Sequence, residues 1–230
     1  IASHYYQPLL GGDMAAVRGM SKAVFAAEYA AIASNSTPVL DHDFLREHCA
    51  DFADYRAIVD ATSWDEIEDQ SGLSRHDIEQ AANVYMSADR VICTWAMGVT
   101  QHVHSVATIR EISNFMFLRG NIGKPGGSSL SITGQCNAMG TREWSSCSGL
   151  PGYRALENEQ DRKDIAEFWG VDEKFFPKKR GMFMTDILPA IESGQIKGLL
   201  LIATNPMTSM ANTPRIRKML EKLEFLVVQD

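Results

Sequence analysis

The run GLLLIA at residues 198–203 constrains the fold more than any other feature of this chain. Six consecutive residues carry no polar side chain, and the run is bounded by turn signals. A strand half-covered by solvent would alternate, so a continuous run predicts a buried strand of a parallel sheet. The loop TNPMTSMAN follows, then Thr213 as a helix cap with Pro214 at the first helical position, and Ile216, Met219, Leu220 and Leu223 along one face. Residues 225–229, FLVVQ, supply the next strand. Strand, helix and strand in that order make a βαβ unit with parallel strands and a right-handed crossover.

A second run, RVICTWA at residues 90–96, predicts another buried parallel strand. It ends in the loop MGVTQ, and a helix from Ser105 carries Val106, Ile109, Ile112 and Met116 on one face. The residues before it are helical by pattern. Asp13 is placed to cap a helix with Met14, Val17, Met20 or Ser21, and Val24. Asp41 opens a pattern through Phe44, Leu45 and Phe52, Ser63 and Glu66 form a capping box before Ile67, and Ser74 precedes Ile78, Ala81, Ala82 and Tyr85. The fold class implied is α/β, with parallel-sheet, Rossmann-like layers and helices on both faces. The turn GKPG at residues 123–126 divides a helix-rich part, residues 1–123, from a second α/β part, residues 124–230.

Composition narrows the function classes. The 230 residues are 45% hydrophobic and 22% charged, an ordinary globular balance, and the net charge of -7 gives nothing to attract nucleic acid. No apolar run approaches the roughly 20 residues of a membrane span. Ile1 follows neither a methionine nor a basic n-region, and the chain opens in IASHYYQPLL and stops in FLVVQD, mid-strand by pattern, so both ends are expected to be cuts in a longer sequence. Cys49, Cys93, Cys136 and Cys147 form no CxxC pair, which excludes zinc or iron–sulfur spacing here and suggests free buried thiols in a reducing compartment.

Ligands of open parallel sheets bind beyond the carboxyl ends of the strands. Residues 97–101 and 204–206 occupy such positions, each with a side-chain amide, Gln101 and Asn205. An amide both donates and accepts, which suits the edge of a heterocycle such as pterin or guanine; it serves equally to cap the next helix or turn. Residues 120–151 break both helix and strand periods, with Gly120, Gly123, Gly126, Gly127, Gly134, Gly140 and Gly149 around the polar SITGQCNAMGTRE. A long Gly-rich segment with apolar anchors is typical of a functional loop. Its glycines do not form the GxGxxG of a nicotinamide module. Arg142 in this loop is suited to forked hydrogen bonds with a small planar oxyanion such as nitrate or formate, or to a loop-stabilising salt bridge. His102 and His104 lack a third ligand at suitable spacing and are expected to be polar loop residues, and the carboxylate pairs Asp41 with Asp43 and Glu66 with Glu68 to be solvated.

WAMGVTQ, LRGNIGKPGG, SITGQCNAMGTRE, ATNP and VVQD, in that order, resemble consecutive motifs of the molybdopterin oxidoreductase family that includes dimethyl sulfoxide reductase. The resemblance spans nearly the whole chain and implies parts of two cofactor-binding domains. It implies a molybdenum centre held by two molybdopterin guanine dinucleotides and, in the full-length protein, a 4Fe-4S cluster. The metal-ligating and cluster-binding residues of the family precede this segment, so the metal has no ligand here. By resemblance, Met97, Gln101 and Asn205 match cofactor-binding positions. Gly11, Gly12 and Asp13 are similar to an acidic turn that contacts guanine, Gln229 and Asp230 to the end of a later strand with similar work, and Gly134, Gln135 and Asn137 to the loop beside the metal.

Within the family, residues 98–126 resemble formate-dehydrogenase-type sequences. GQCNAMGTRE is similar to the loop of assimilatory and periplasmic nitrate reductases, which carries an arginine near the place of Arg142. Formate dehydrogenases have an arginine where this chain has Thr133, and many relatives have proline where it has Cys136. The resemblance therefore implies nitrate as substrate, with Arg142 and Gln135 as catalytic candidates, an electron-donor protein or domain as partner, and a cytoplasmic setting, or a periplasmic one if an export signal precedes this segment. Formate or another small oxyanion, and a non-catalytic scaffold subunit of the same fold, remain alternatives.

Overall fold

The computed structural model of the chain describes residues 2–146 and 149–229. It divides into two compact units, Ile1–Cys136 and Asn137–Asp230. In the first, α1 (Asp13–Ala33) is followed by α2 (His42–His48), α3 (Phe52–Ala61), α4 (Trp64–Ser71) and α5 (Arg75–Ser87), then β1 (Ile92–Trp95), α6 (Ser105–Phe117) and β2 (Ser128–Ser131). Helix α1 packs on α3, α4, α5 and α6. The core between them holds Val24, Phe25, Leu45, Val59, Phe115 and Met116. Strands β1 and β2 are parallel, with Ile92 opposite Ser128 and Trp95 opposite Ser131. The strand after the GKPG turn thus pairs with the strand before α6, inside the first unit.

Several caps stand where the sequence places them. Asp41 accepts from the Phe44 amide, Ser63 from the Glu66 amide and Ser74 from the Asp77 amide. Asp13 does not cap: the N-cap is Gly12, and Asp13 is the first helical residue, where its charge meets the positive end of the helix. The pattern through Phe52 breaks into two helices, because Cys49 leaves the helix in an extended conformation. The buried face of α6 is Thr108, Glu111, Ile112, Phe115 and Met116, and Val106, expected on that face, is 64% exposed. A charged residue takes the inner position because Arg18 reaches Glu111 through Nε and Nη2 at 3.3 and 3.2 Å and the Tyr55 hydroxyl donates to it at 3.1 Å.

The second unit contains α7 (Ala138–Thr141) running into a π-helical turn, Arg142–Ser146, then β3 (Gly149–Leu150) antiparallel to β4 (Arg154–Ala155), and α8 (Glu159–Trp169). After α9 (Met184–Glu192) come β5 (Gly198–Ile202), α10 (Pro206–Ser209), α11 (Thr213–Leu220) and β6 (Phe225–Gln229). Strands β5 and β6 are parallel, from Gly198 opposite Phe225 to Ile202 opposite Gln229. A side chain at Gly198 would come 2.3 Å from the Phe225 ring, so the ring would have to move to admit one. The cap of α11 is Asn212, which accepts from the Arg215 amide, and not Thr213; Pro214, expected at the first helical position, is therefore the second residue of the helix. Ile191, Ile216 and Met219 form the core under this sheet.

The two apolar runs form strands, and they are not buried. Ile92 is 54% exposed, Leu200 and Ile202 are 57% and 56% exposed, and every residue of β6 is exposed. Each parallel pair has two strands; Cys93 of β1 packs against the core of the first unit and Leu199 of β5 against the cluster of the second. The structure is a mixed helix–strand molecule with small parallel sheets, consistent with α/β. Among the described residues, no helix is long and apolar enough to cross a membrane. Of the cysteines expected to be buried, Cys49 and Cys93 are half-buried, and burial pushes both thiols above their ordinary value. Cys136 is exposed, since it lies in the loop after β2, and Cys147 lies outside the described residues.

Candidate functional site

In the first unit the candidate residues sit on turns that open helices. Gly11 has φ +81°, and a side chain on Gly12 would fall 2.5 Å from the Gln70 carbonyl oxygen. The turn is therefore pressed against the end of α4, and the Leu9 amide donates to the Ser71 carbonyl at 2.7 Å. Asp13 is half-buried at the start of α1.

At the carboxyl end of β1, Met97–Val99 makes one 3-10 turn, and the Thr100 and Gln101 amides both donate to the Met97 carbonyl at 3.1 Å. This brings Gln101 Nε2 within 3.2 Å of Met97 Sδ. Met97 and Gln101 are thus adjacent, both exposed, and the Gln101 carbonyl oxygen is left to accept. Gly134 and Gln135 are exposed in the loop after β2, and nothing lies within 4 Å of the position a Gly134 side chain would take. Behind the 97–101 loop, α6 is fixed to α1 and α3 by the buried Glu111. Burial, and then the neighbouring Glu111 carboxylate, push the Tyr55 phenol far above its ordinary value, so this hydroxyl acts as a donor.

In the second unit Asn137 has φ 53° and caps α7 through Oδ1, which accepts from the Gly140 amide at 3.3 Å. Arg142 follows α7 and is exposed; its backbone amide donates to the Ala138 and Met139 carbonyls, and its guanidinium makes no hydrogen bond or ion pair among the described residues. The salt bridge that the sequence left open for it is absent among those residues.

Asn205 caps α10, with Oδ1 accepting from the Met207 amide at 3.0 Å, and its carbonyl takes the hydroxyls of Thr208 and Ser209. Capping engages Oδ1 alone; Nδ2 has no partner among the described residues. The loop leaves β5 through Ala203 at φ 50°, a left-handed conformation that costs a residue with a Cβ about 1–2 kcal/mol. The Ala203 amide donates to the Gln229 carbonyl at 2.9 Å, so the Asn205 loop and the end of β6 are tied together. A cavity of about 410 Å³ opens there, lined by Leu201, Ala203, Thr204, Asn205, Leu226 and Val228. Asp230 lies outside the described residues. The sequence carried no signal for the strained Ala203, an ordinary apolar residue by type.

The two strand ends offer the same chemistry: a side-chain amide with one unused polar atom, beside apolar surface and without a charged partner. That donor set fits a planar heterocycle. The model of the molybdopterin oxidoreductase family matches residues 12–230. The chain belongs to this family. It is similar to a nitrate reductase of Synechocystis, 33% identical over 193 residues, which is 84% of this chain and 27% of that protein. It is similar to formate dehydrogenase H of Escherichia coli, 30% identical over 83% of this chain and 26% of that protein, and to the Escherichia coli protein YdeP, 37% identical over 99% of this chain and 29% of that protein. The chain thus spans less than a third of the length of these members of the family.

Proposed function

We propose that this chain is the cofactor-holding part of a molybdenum-dependent oxidoreductase that reduces nitrate to nitrite, with two molybdopterin guanine dinucleotides bound along Rossmann-like layers. Family membership supports the molybdenum–pterin group, and the free amide atoms at Gln101 and Asn205 are the contacts this chain offers it. When bound, the group supplies the two-electron chemistry that, with two protons, turns nitrate into nitrite and water. The electrons come from a donor protein or domain, through a 4Fe-4S cluster held elsewhere in the full-length enzyme.

The chain's own residues bind and orient. Met97 and Gln101 hold one pterin edge, Asn205 and the Gln229–Asp230 strand end another, and Gly11, Gly12 and Asp13 a guanine, whose amino and imino donors match a carboxylate. Gly134, Gln135 and Asn137 form the loop beside the metal. Arg142 carries the choice of substrate: an exposed guanidinium with no carboxylate partner among the described residues can fork onto nitrate and offset its charge. Arg142→Ala in the full-length enzyme is expected to raise the nitrate KM or abolish turnover, by at least about tenfold in kcat/KM for one lost charge-assisted contact. Wild-type nitrate kinetics in that variant would remove the assignment.

Formate is the second reading, favoured by the similarity to formate dehydrogenase H. Parallel assays with reduced viologen plus nitrate, and with formate plus an oxidised dye, separate the two.

A further inference from the structure

His102 stands between the 97–101 loop and α6. Its Nδ1 accepts a hydrogen bond from the His104 amide at 3.2 Å, which leaves the ring proton on Nε2. That Nε2 is buried and has no hydrogen-bond partner among the described residues. The only other buried side-chain polar atom in this condition among those residues is the Ser129 hydroxyl, on the strand paired with β1. A hydroxyl rotates to find an acceptor, whereas an imidazole held through Nδ1 has a fixed donor direction. Buried donors are almost always satisfied, so an oriented one without a partner in the chain points to an acceptor supplied from outside it.

The loop's chemistry says what kind of acceptor. Residues 91–109 contain no lysine or arginine, so the donors between β1 and α6 are backbone amides, hydroxyls, Gln101 and the imidazoles of His102 and His104. A pyrophosphate calls for lysine or arginine, while a donor set without either suits the ring nitrogens and carbonyl of a heterocycle. We infer that His102 is a cofactor-binding residue whose Nε2–H donates to an acceptor atom of the pterin ring system at the carboxyl end of β1. The inference rests on the proposed molybdopterin cofactor, and it adds a contact beside Met97 and Gln101.

Two substitutions separate this role from a purely structural one. Asparagine at 102 keeps an acceptor near the Nδ1 position for the His104 amide and loses the Nε2 donor. Glutamine places an amide N–H near Nε2. In purified full-length enzyme, His102→Asn is expected to lower the pterin-to-protein ratio about tenfold and to shift the electron paramagnetic resonance signal of the metal in the protein that remains loaded, while His102→Gln stays within about twofold of wild type. A His102→Asn enzyme with wild-type pterin content and signal overturns the inference, because the Nδ1 contact alone then suffices. Loss in both variants also overturns it, since the Nε2 donor then fails to restore binding. The cofactor reading fails separately, if wild-type protein carries no molybdenum or pterin.

Discussion

In residues 1–136 one long helix, α1, is enclosed by four others, and the charges that fall inside are paired: Arg18 with Glu111, and Glu28 with His42 and the Val39 and Leu40 amides. In residues 137–230 the buried clusters are small, three residues each, and the strands of the parallel pair stand largely in solvent. The first unit spends its sequence on a core that holds a strand end rigidly. The second presents a strand end on a thin scaffold, with α9 and α11 on one side of the sheet. Both carry an amide-bearing loop at the carboxyl end of a parallel strand, so the two loops are alike in chemistry and unlike in support.

The largest expected effect comes from the buried charge of the first unit. Glu111→Ala strands Arg18 and the Tyr55 hydroxyl and is expected to cost about 3–5 kcal/mol, seen as loss of hydrogen-exchange protection in α1 and α6 of the full-length protein. Unchanged protection there would break the comparison at its strongest point. In the second unit Ile216→Ala, fully buried between α9 and α11, is expected to cost about 2–3 kcal/mol, with the loss confined to those helices and β5.

A pH effect follows from Glu28. Burial raises its carboxyl, but hydrogen bonds from His42, Leu40 and Val39 outweigh burial and hold it below the ordinary glutamate value of 4.5. A depressed folded value stabilises above 4.5 and is lost as pH falls through the lower folded value. Thermal stability of the segment joining α1 to α2 should therefore decline below that pH, and Glu28→Gln should flatten the decline. A variant with the wild-type acid profile would show that another group governs it. The smallest effect is expected on β6: Val228→Thr, at a 60% exposed position, should change stability by no more than about 0.5 kcal/mol. A cost of 2 kcal/mol or more would mean that this face is covered in the full-length enzyme, which would sharpen the contrast between the units.

Local signals made part of this legible. The caps at Asp41, Ser63 and Ser74, the βαβ order around β5 and β6, and the amides Gln101 and Asn205 follow from residue type and spacing. Burial was not legible in the same way. Glu111 is inside because of Arg18, 93 positions away in sequence, and the apolar strands are exposed in this segment, where each sheet has two strands. The cap of α11 passed to Asn212, whose left-handed backbone, φ 64°, suits asparagine and not threonine. The orphan nitrogen of His102 is a property of tautomer and packing, invisible in the letters.

The central claim is that this chain holds a molybdopterin cofactor. Metal and pterin analysis of the purified full-length protein tests it most directly. The account predicts molybdenum, with two pterins for each metal. Protein that is folded, contains the segment corresponding to residues 12–230 and carries neither molybdenum nor pterin would contradict it.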